Sequence, residues 1–206
     1  MSQYVITISR QFGSGGRHIG HTLSEELGIS CYDKAIIQMA AEKSGLSAGY
    51  IEKTEESIPS TFLFNLKYTA YSAFDSMNYY EVPMTDKMFQ AQTDVITEIA
   101  GHESCIIVGR CADYILRDKP NLFKIFIMAD MPERIKRAVE SHNLTGDKIE
   151  ERIRKIDKSR SNYYKYYTGR NWADMSNYDL IINSSCAGEY GAVALIKTLL
   201  HSKGQI

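Results

Sequence analysis

The stretch Ile6–Gly20, ITISRQFGSGGRHIG, limits the fold of this chain more than any other part of it. Apolar β-branched residues run into Gly13-Ser14-Gly15-Gly16, and a helical pattern begins at once with Arg17. A strand that passes through a tight glycine turn into a helix opens a right-handed βα unit, whose next strand lies parallel to the first. Five short apolar runs read as strands: Tyr4–Ser9, Ile29–Tyr32, Cys105–Gly109, Phe123–Met128 and Asp179–Asn183. They are continuous in Ile and Val rather than alternating, the pattern of strands covered on both faces. Helical spacing appears at Arg17–Leu27, Met131–Ser141 and Glu189–Ser202. The expected fold is α/β, a parallel sheet between helical layers.

Residues 34–102 carry no strand pattern and read as a helical insertion after the second strand. The insertion is rich in aromatics (Phe62, Phe64, Tyr68, Tyr71, Phe74, Tyr79, Tyr80), read here as packing residues. Pro59 and Pro83 punctuate it, because proline interrupts a helix. A length of 206 residues suits a single domain, 1–206, that includes this insertion. The formal net charge of -1 supplies no global basic field, so neither nucleic acid nor membrane is an expected partner. Cys31, Cys105, Cys111 and Cys186 form no CxxC pair and read as buried thiols of a reducing, cytoplasmic environment. The start, MSQYVITISRQ, lacks a basic region followed by a long apolar stretch, which predicts no signal peptide. No apolar run approaches the roughly 20 residues of a membrane-spanning helix.

The glycine turn carries the clearest chemistry. Glycines let the backbone take positive φ and approach a ligand closely, and their N–H groups, with a helix N-terminus behind them, suit phosphate. Gly13, Ser14, Gly15, Gly16, Arg17 and His18 are the candidate phosphate-binding residues. The turn departs from the pattern GxxxxGK[ST]: Gly16 stands at the lysine and Arg17 at the Ser/Thr position. The missing lysine charge points to Arg17 or Arg10 as replacement, and the missing hydroxyl leaves Ser14 or Asp33 as magnesium candidates. A dinucleotide site is the competing reading. Gly13 and Gly15 fit half of GxGxxG and Asp33 lies at the right distance, but His18 stands at the third glycine. His18 and His21, one helical turn apart, are too few ligands for a metal site.

The loop together with CYDKAII (Cys31–Ile37), CIIVGRCADYIL (Cys105–Leu116) and YDLIIN (Tyr178–Asn183) resembles the cytidylate kinase-like family of P-loop proteins, itself similar to nucleoside monophosphate kinases. The resemblance implies a P-loop three-layer sandwich with a five-stranded parallel sheet of order 2-3-1-4-5. It implies an acceptor-binding role for the 34–102 insertion and an arginine-bearing lid at residues 146–172. It implies ATP and Mg²⁺, with the ATP phosphates on Gly13–His18. Asp33, Lys34, Arg110 and Asp113 are the implied acceptor-binding residues. At Gly109-Arg110 the related kinases continue with Asp, where Cys111 stands and Asp113 follows two residues on. Their lid pattern RDxxR keeps Asp157 and Arg160 but has Ile156 at its first position, with Arg154 and Lys155 as the nearby substitutes. Arg17, Asp33 and Arg160 are the implied catalytic residues. Asp33 reads equally well as a helix N-cap. The resemblance offers Arg134 and Arg137 for the adenine side, and by default they read as surface charges.

The expected function is an ATP-dependent phosphotransferase, a nucleoside monophosphate kinase of the cytidylate type, acting on small-molecule nucleotides. Two alternatives stand beside it: a nucleotide-binding sensor with little turnover, and a kinase for a non-nucleotide acceptor. The clustered aromatics of the insertion also offer a homodimer interface.

Overall fold

The computed structural model describes residues 3–44, 84–142 and 146–206. The expected aromatic cluster Phe62–Tyr80 and both punctuating prolines lie outside the described residues.

The strands are β1 (Val5–Arg10), β2 (Ser30–Tyr32), β3 (Cys105–Val108), β4 (Leu122–Met128) and β5 (Leu180–Asn183). The helices are α1 (Gly16–Leu27), α2 (Ala35–Ser44), α3 (Met84–His102), α4 (Ala112–Ile115), α5 (Met131–His142), α6 (Ile149–Thr168) and α7 (Ser184–Ser202). The sheet has the order β2-β3-β1-β4-β5 with every pairing parallel, as expected. In its centre Ile6 lies opposite Ile106 and Phe123, and Ile8 opposite Val108 and Ile125.

Continuous apolar runs work here because successive side chains leave a strand on opposite faces. Ile6, Ile8, Ile106, Val108, Ile125 and Ile127 join Ile19 and Leu23 of α1 and Val193, Ile196 and Leu200 of α7 in one core. Val5, Cys105 and Ile107 point the other way, to Ile36 and Ala40 of α2, Val95, Ile96 and Ile99 of α3, and Ala112 and Leu116. Burying each such isoleucine fully contributes about 1.5–3 kcal/mol. A third cluster, Cys111, Phe126, Tyr164 and Trp172, fills the space under α6. α7 is interrupted at Gly188, whose φ 67 and ψ 174 are not helical, so its long regular part begins at Glu189. The described parts of the expected insertion, α2 and α3, are both helical and pack on the β2–β3 side.

All five strands point the same way, so Arg10, Asp33, Gly109-Arg110 and Ala129 emerge together at the carboxyl edge, where parallel α/β sheets bind ligands. A groove of about 660 Å³ lies between α2 and α3, at the opposite, amino-terminal end of β3. Glu42, Glu98 and Glu103 line it beside His102 and Lys43, and Lys43 is already paired with Glu98, a poor setting for phosphate. Among the described residues, no helix is long and apolar enough to cross a membrane.

Candidate functional site

The loop between β1 and α1 is held from outside and from within. The Gln11 and Phe12 N–H groups donate to Ile127 O and Asp157, and the Ser14 N–H donates to Gln11 O at 3.3 Å, so the donors it offers a ligand lie at the start of α1. The Gln11 N–H donates to Ile127 O at 3.0 Å, while Gln11 Oε1 accepts from the Ala129 N–H at 3.1 Å. The Ser14 hydroxyl donates to Gln11 O at 2.9 Å, and the Ser184 hydroxyl donates to Ser14 O at 2.7 Å. Ser14 is fully buried by these bonds. Gly13 has φ 73, and a Cβ there would stand 2.6 Å from the Arg134 carbonyl oxygen, so the turn needs glycine on both counts. Gly15, at φ 79, is the N-cap of α1. No described side chain caps the helix there, and its first turn holds no acid. The N-terminus of α7 differs, because Asn183 caps it by accepting from the Ser185 N–H. α1 therefore presents uncapped N–H donors and the positive end of its dipole at the carboxyl edge of the sheet.

Arginines from four elements converge beside that end. Asp33, 7% exposed just past β2, is ion-paired with Arg17 Nε and lies 3.6 Å from Arg10 Nη2. Arg160 on α6 donates from Nη1 to Arg10 O at 3.1 Å, with its guanidinium 5.6 Å from the centre of the Phe12 ring. Burial pushes the Arg160 guanidinium down to about 9, and Arg10 adds to that push, while Asp157 and Asp33 oppose it. Burial likewise pushes Arg110 down to about 10; Tyr163 opposes the shift, as Asp33 does more weakly, and Arg10 adds to it. Arg10 is lowered by burial too, with Asp33 opposing and Arg17 adding. The cations are partly desolvated and repel one another. An anion placed among them relieves both penalties.

Arg110 owes its place to unusual backbone. Gly109, Arg110 and Cys111 have φ of 82, 61 and 54, three left-handed residues in a row at the end of β3. Such conformations in non-glycine residues are strained and cluster at ligand sites. Cys111 is buried, and burial drives its thiol well above the ordinary range.

α6 closes the other side of the crevice. Asp157 accepts from the Phe12 N–H at 2.8 Å and is ion-paired with Arg134, whose Nε donates to Phe12 O at 2.8 Å. Further along, the Tyr164 hydroxyl donates to the buried Asp113 at 2.6 Å, and Tyr167 stacks on Phe89 of α3 with 3.9 Å between ring centres.

Of the residues picked from sequence, Gly13–Arg17, Asp33, Arg110 and Arg160 come together at one edge. His18 sits on the first turn of α1 with Nε2 3.2 Å from Glu189. Lys34 is exposed beside Asp33. Asp113 is buried beneath α6 against Tyr164, and Arg154 faces solvent in a pair with Glu150. The expectation that Arg134 and Arg137 are surface charges is corrected. Arg134 is 4% exposed and holds the loop backbone, and Arg137 Nη1 reaches Gly13 O at 3.4 Å while its Nε lies 3.7 Å from Glu189. The polar helix pattern of MPERIKRAVE hides this, because it does not reveal that loop carbonyls need donors from α5.

The sequence model of the Cytidylate kinase-like family matches residues 5–186. The cytidylate kinase of Methanosarcina barkeri is 30% identical over 105 residues, 50% of this chain, and the chain spans 58% of the length of that relative. The cytidylate kinase of Methanopyrus kandleri is 23% identical over 197 residues, 95% of this chain and 92% of that protein. Among solved structures, an uncharacterized protein from Eubacterium ventriosum matches with a TM-score of 0.71 at 25% identity, covering 97% of this chain and 99% of that one. Shikimate kinase from Acinetobacter baumannii matches with a TM-score of 0.56 at 14% identity, covering 98% and 95%, a likeness of fold alone.

Proposed function

This chain belongs to the cytidylate kinase-like family, and on that premise we propose that it is an ATP-dependent phosphotransferase whose acceptor is a nucleoside monophosphate. The observation that carries the reading is the convergence of Arg10, Arg17, Arg110 and Arg160 on Asp33 beside the uncapped start of α1. Two polyanions meeting head to head need such an excess of cations, and a neutral acceptor does not.

The ATP phosphates lie on the turn Gly13–Arg17, against the N–H groups at the uncapped start of α1, with His18 at the outer side of that turn. Arg110 and Lys34, at the ends of β3 and β2, take the acceptor phosphate, since arginine suits bidentate recognition of phosphate. An acceptor phosphate oxygen attacks the γ-phosphorus, the bond to the β–γ bridging oxygen breaks, and ADP leaves. Arg17 and Arg160 stabilise the charge that spreads over the γ-phosphoryl oxygens. Asp113 serves acceptor binding at one remove, by anchoring Tyr164 of α6. Among the described residues no group of three or more His, Cys, Asp or Glu could hold a metal alone. Asp33 still fits Mg²⁺, which is commonly bound by one or two carboxylates plus substrate phosphates and water. Held there, the ion would supply charge neutralisation to the triphosphate. Asp33 is ion-paired with Arg17 and lies 3.6 Å from Arg10, so phosphates that drew those arginines away would free it for the metal. Residues 146–172, with Arg154, Asp157 and Arg160, form the lid that excludes water. Four free cysteines fit a reducing compartment, which supports the cytoplasmic expectation.

ADP formation from MgATP is measured with CMP, dCMP, UMP, AMP and GMP in turn, against a control without acceptor. Stimulation by one of them is the expected result and names the acceptor. MgATP binding with no stimulation by any of the five overturns the nucleoside monophosphate and leaves the sensor or the non-nucleotide kinase.

A further inference from the structure

The loop lacks the lysine that a phosphate loop normally sends to the β- and γ-phosphates. The space around Gly16 explains the loss. A Cβ at Gly16 would lie 2.7 Å from Arg10 Cβ, 3.1 Å from Arg10 Cγ and 3.3 Å from Ile127 Cβ. These are stem atoms next to the backbones of β1 and β4, which cannot swing aside as the end of a side chain can. At the other end of the same arginine, a Cβ at Gly109 would collide with Arg10 Nη1. Two glycines thus frame Arg10 along its length, one at its stem and one at its head. Its side chain is 18% exposed, runs beneath the loop and ends 3.6 Å from Asp33.

The sequence carries the matching signature. With Gly15 as the second glycine of GxxxxGK[ST], the first glycine of the pattern falls on Arg10 and the lysine on Gly16. Charge and vacancy have exchanged ends of the loop. Arg17 is the rival, but its side chain is 45% exposed and leaves from the outer turn of α1.

We propose that Arg10 takes the place of the missing lysine, its guanidinium reaching the β- and γ-phosphates of the bound nucleoside triphosphate through the space that Gly16 and Gly109 keep open. The proposal rests on the phosphotransferase reading and sharpens it. Gly16 is retained because any side chain there displaces Arg10. The loop therefore tolerates arginine at 10 with glycine at 16, or glycine at 10 with lysine at 16, but neither both cations nor none.

The test compares wild type, Arg10→Ala, Arg10→Gly, Gly16→Lys and the double variant Arg10→Gly/Gly16→Lys. Binding of ATP and of AMP is followed by calorimetry, turnover by ADP formation, and folding by thermal melts. Arg10→Ala and Arg10→Gly are expected to lower turnover on the order of 100-fold and to weaken ATP at least tenfold more than AMP. Gly16→Lys is expected to fail as well, and the double variant to recover at least tenfold over Arg10→Gly. A folded Arg10→Ala protein with unchanged ATP binding and turnover overturns the proposal while leaving the phosphotransferase reading standing. So does a folded double variant no better than Arg10→Gly. If Arg10→Ala does not fold, the double variant decides alone, since it removes Arg10 and still restores a cation. A wild-type protein that binds neither nucleotide overturns the broader reading, and this proposal with it.

Discussion

The two halves of α6, one charged and the other rich in tyrosine, are attached to the molecule in opposite ways. Up to Ile156 the helix is a charged surface: Arg154 pairs with Glu150, both at least half exposed, and Ile153 alone is fully buried. From Asp157 onward every turn is tied down. Asp157 holds Arg134 and the Phe12 N–H, Arg160 holds the Arg10 carbonyl, Tyr164 holds Asp113, and Tyr167 stacks on Phe89 and donates to Thr85 O at 3.2 Å. Arg160 thus stands in the crevice before any ligand arrives. In the proposed lid, closure then belongs to the first half of the helix, and the second half is a fixed wall.

Asp157 and Arg160 are where that contrast is most easily broken. Asp157→Ala leaves the Arg134 guanidinium buried without its carboxylate and the Phe12 N–H without its acceptor. Breaking such a buried pair costs about 3–5 kcal/mol, read as a lowered denaturant midpoint at unchanged slope. Arg160→Ala is expected to lower turnover by about 100- to 1,000-fold with little effect on ATP affinity. A loss of ATP affinity that matches the loss of turnover would show that Arg160 only binds and is not a catalytic residue.

Tyr164 tests the wall one turn further along. Tyr164→Phe leaves a buried carboxyl without its donor, a loss of about 1–3 kcal/mol. Asp113→Asn gives a finer check through pH. Burial raises the Asp113 carboxyl above the ordinary value, so the folded protein holds that proton more firmly than the unfolded chain. Its contribution to stability is full in acid below the unfolded value and is lost as pH rises through the folded one. Asparagine has no such proton. The melting temperature of Asp113→Asn relative to wild type should therefore increase from pH 4 to pH 7. A constant difference would mean that Asp113 is not held as the structure has it.

The sequence made some parts of this molecule plain and hid others for physical reasons. Buried parallel strands are written as Ile/Val runs, and the sequence places all five within one residue of their ends. The glycine turn announced itself because few other sequences permit φ of 73 and 79 at Gly13 and Gly15. The left-handed Arg110 and Cys111 were invisible, since nothing in either residue type asks for that backbone. Arg134 looked like a surface charge because its partners, Phe12 O and Asp157, are remote in sequence. For the tyrosines of Tyr163–Tyr167, spacing alone does not reveal whether a ring meets a ligand or the core. Tyr164 in fact enters the core, and Tyr163 and Tyr167 pack on Phe89.

The smallest expected effect is in some ways the sharpest test, because the kinase resemblance and the geometry pull apart at Arg154. By resemblance it stands in for the arginine that Ile156 replaces, and its loss should then slow phosphoryl transfer. By geometry it is 65% exposed and makes an (i, i+4) pair with Glu150, and such surface pairs contribute a few tenths of a kcal/mol. Arg154→Ala should therefore change stability by less than about 0.5 kcal/mol. Its effect on turnover separates the two halves of α6. Turnover within about twofold of wild type, far below the roughly 100-fold scale of a lost catalytic donor, leaves Arg160 as the catalytic arginine of this helix. A tenfold loss would mean that the exposed half folds over the nucleotide during the reaction and carries Arg154 into the crevice with it.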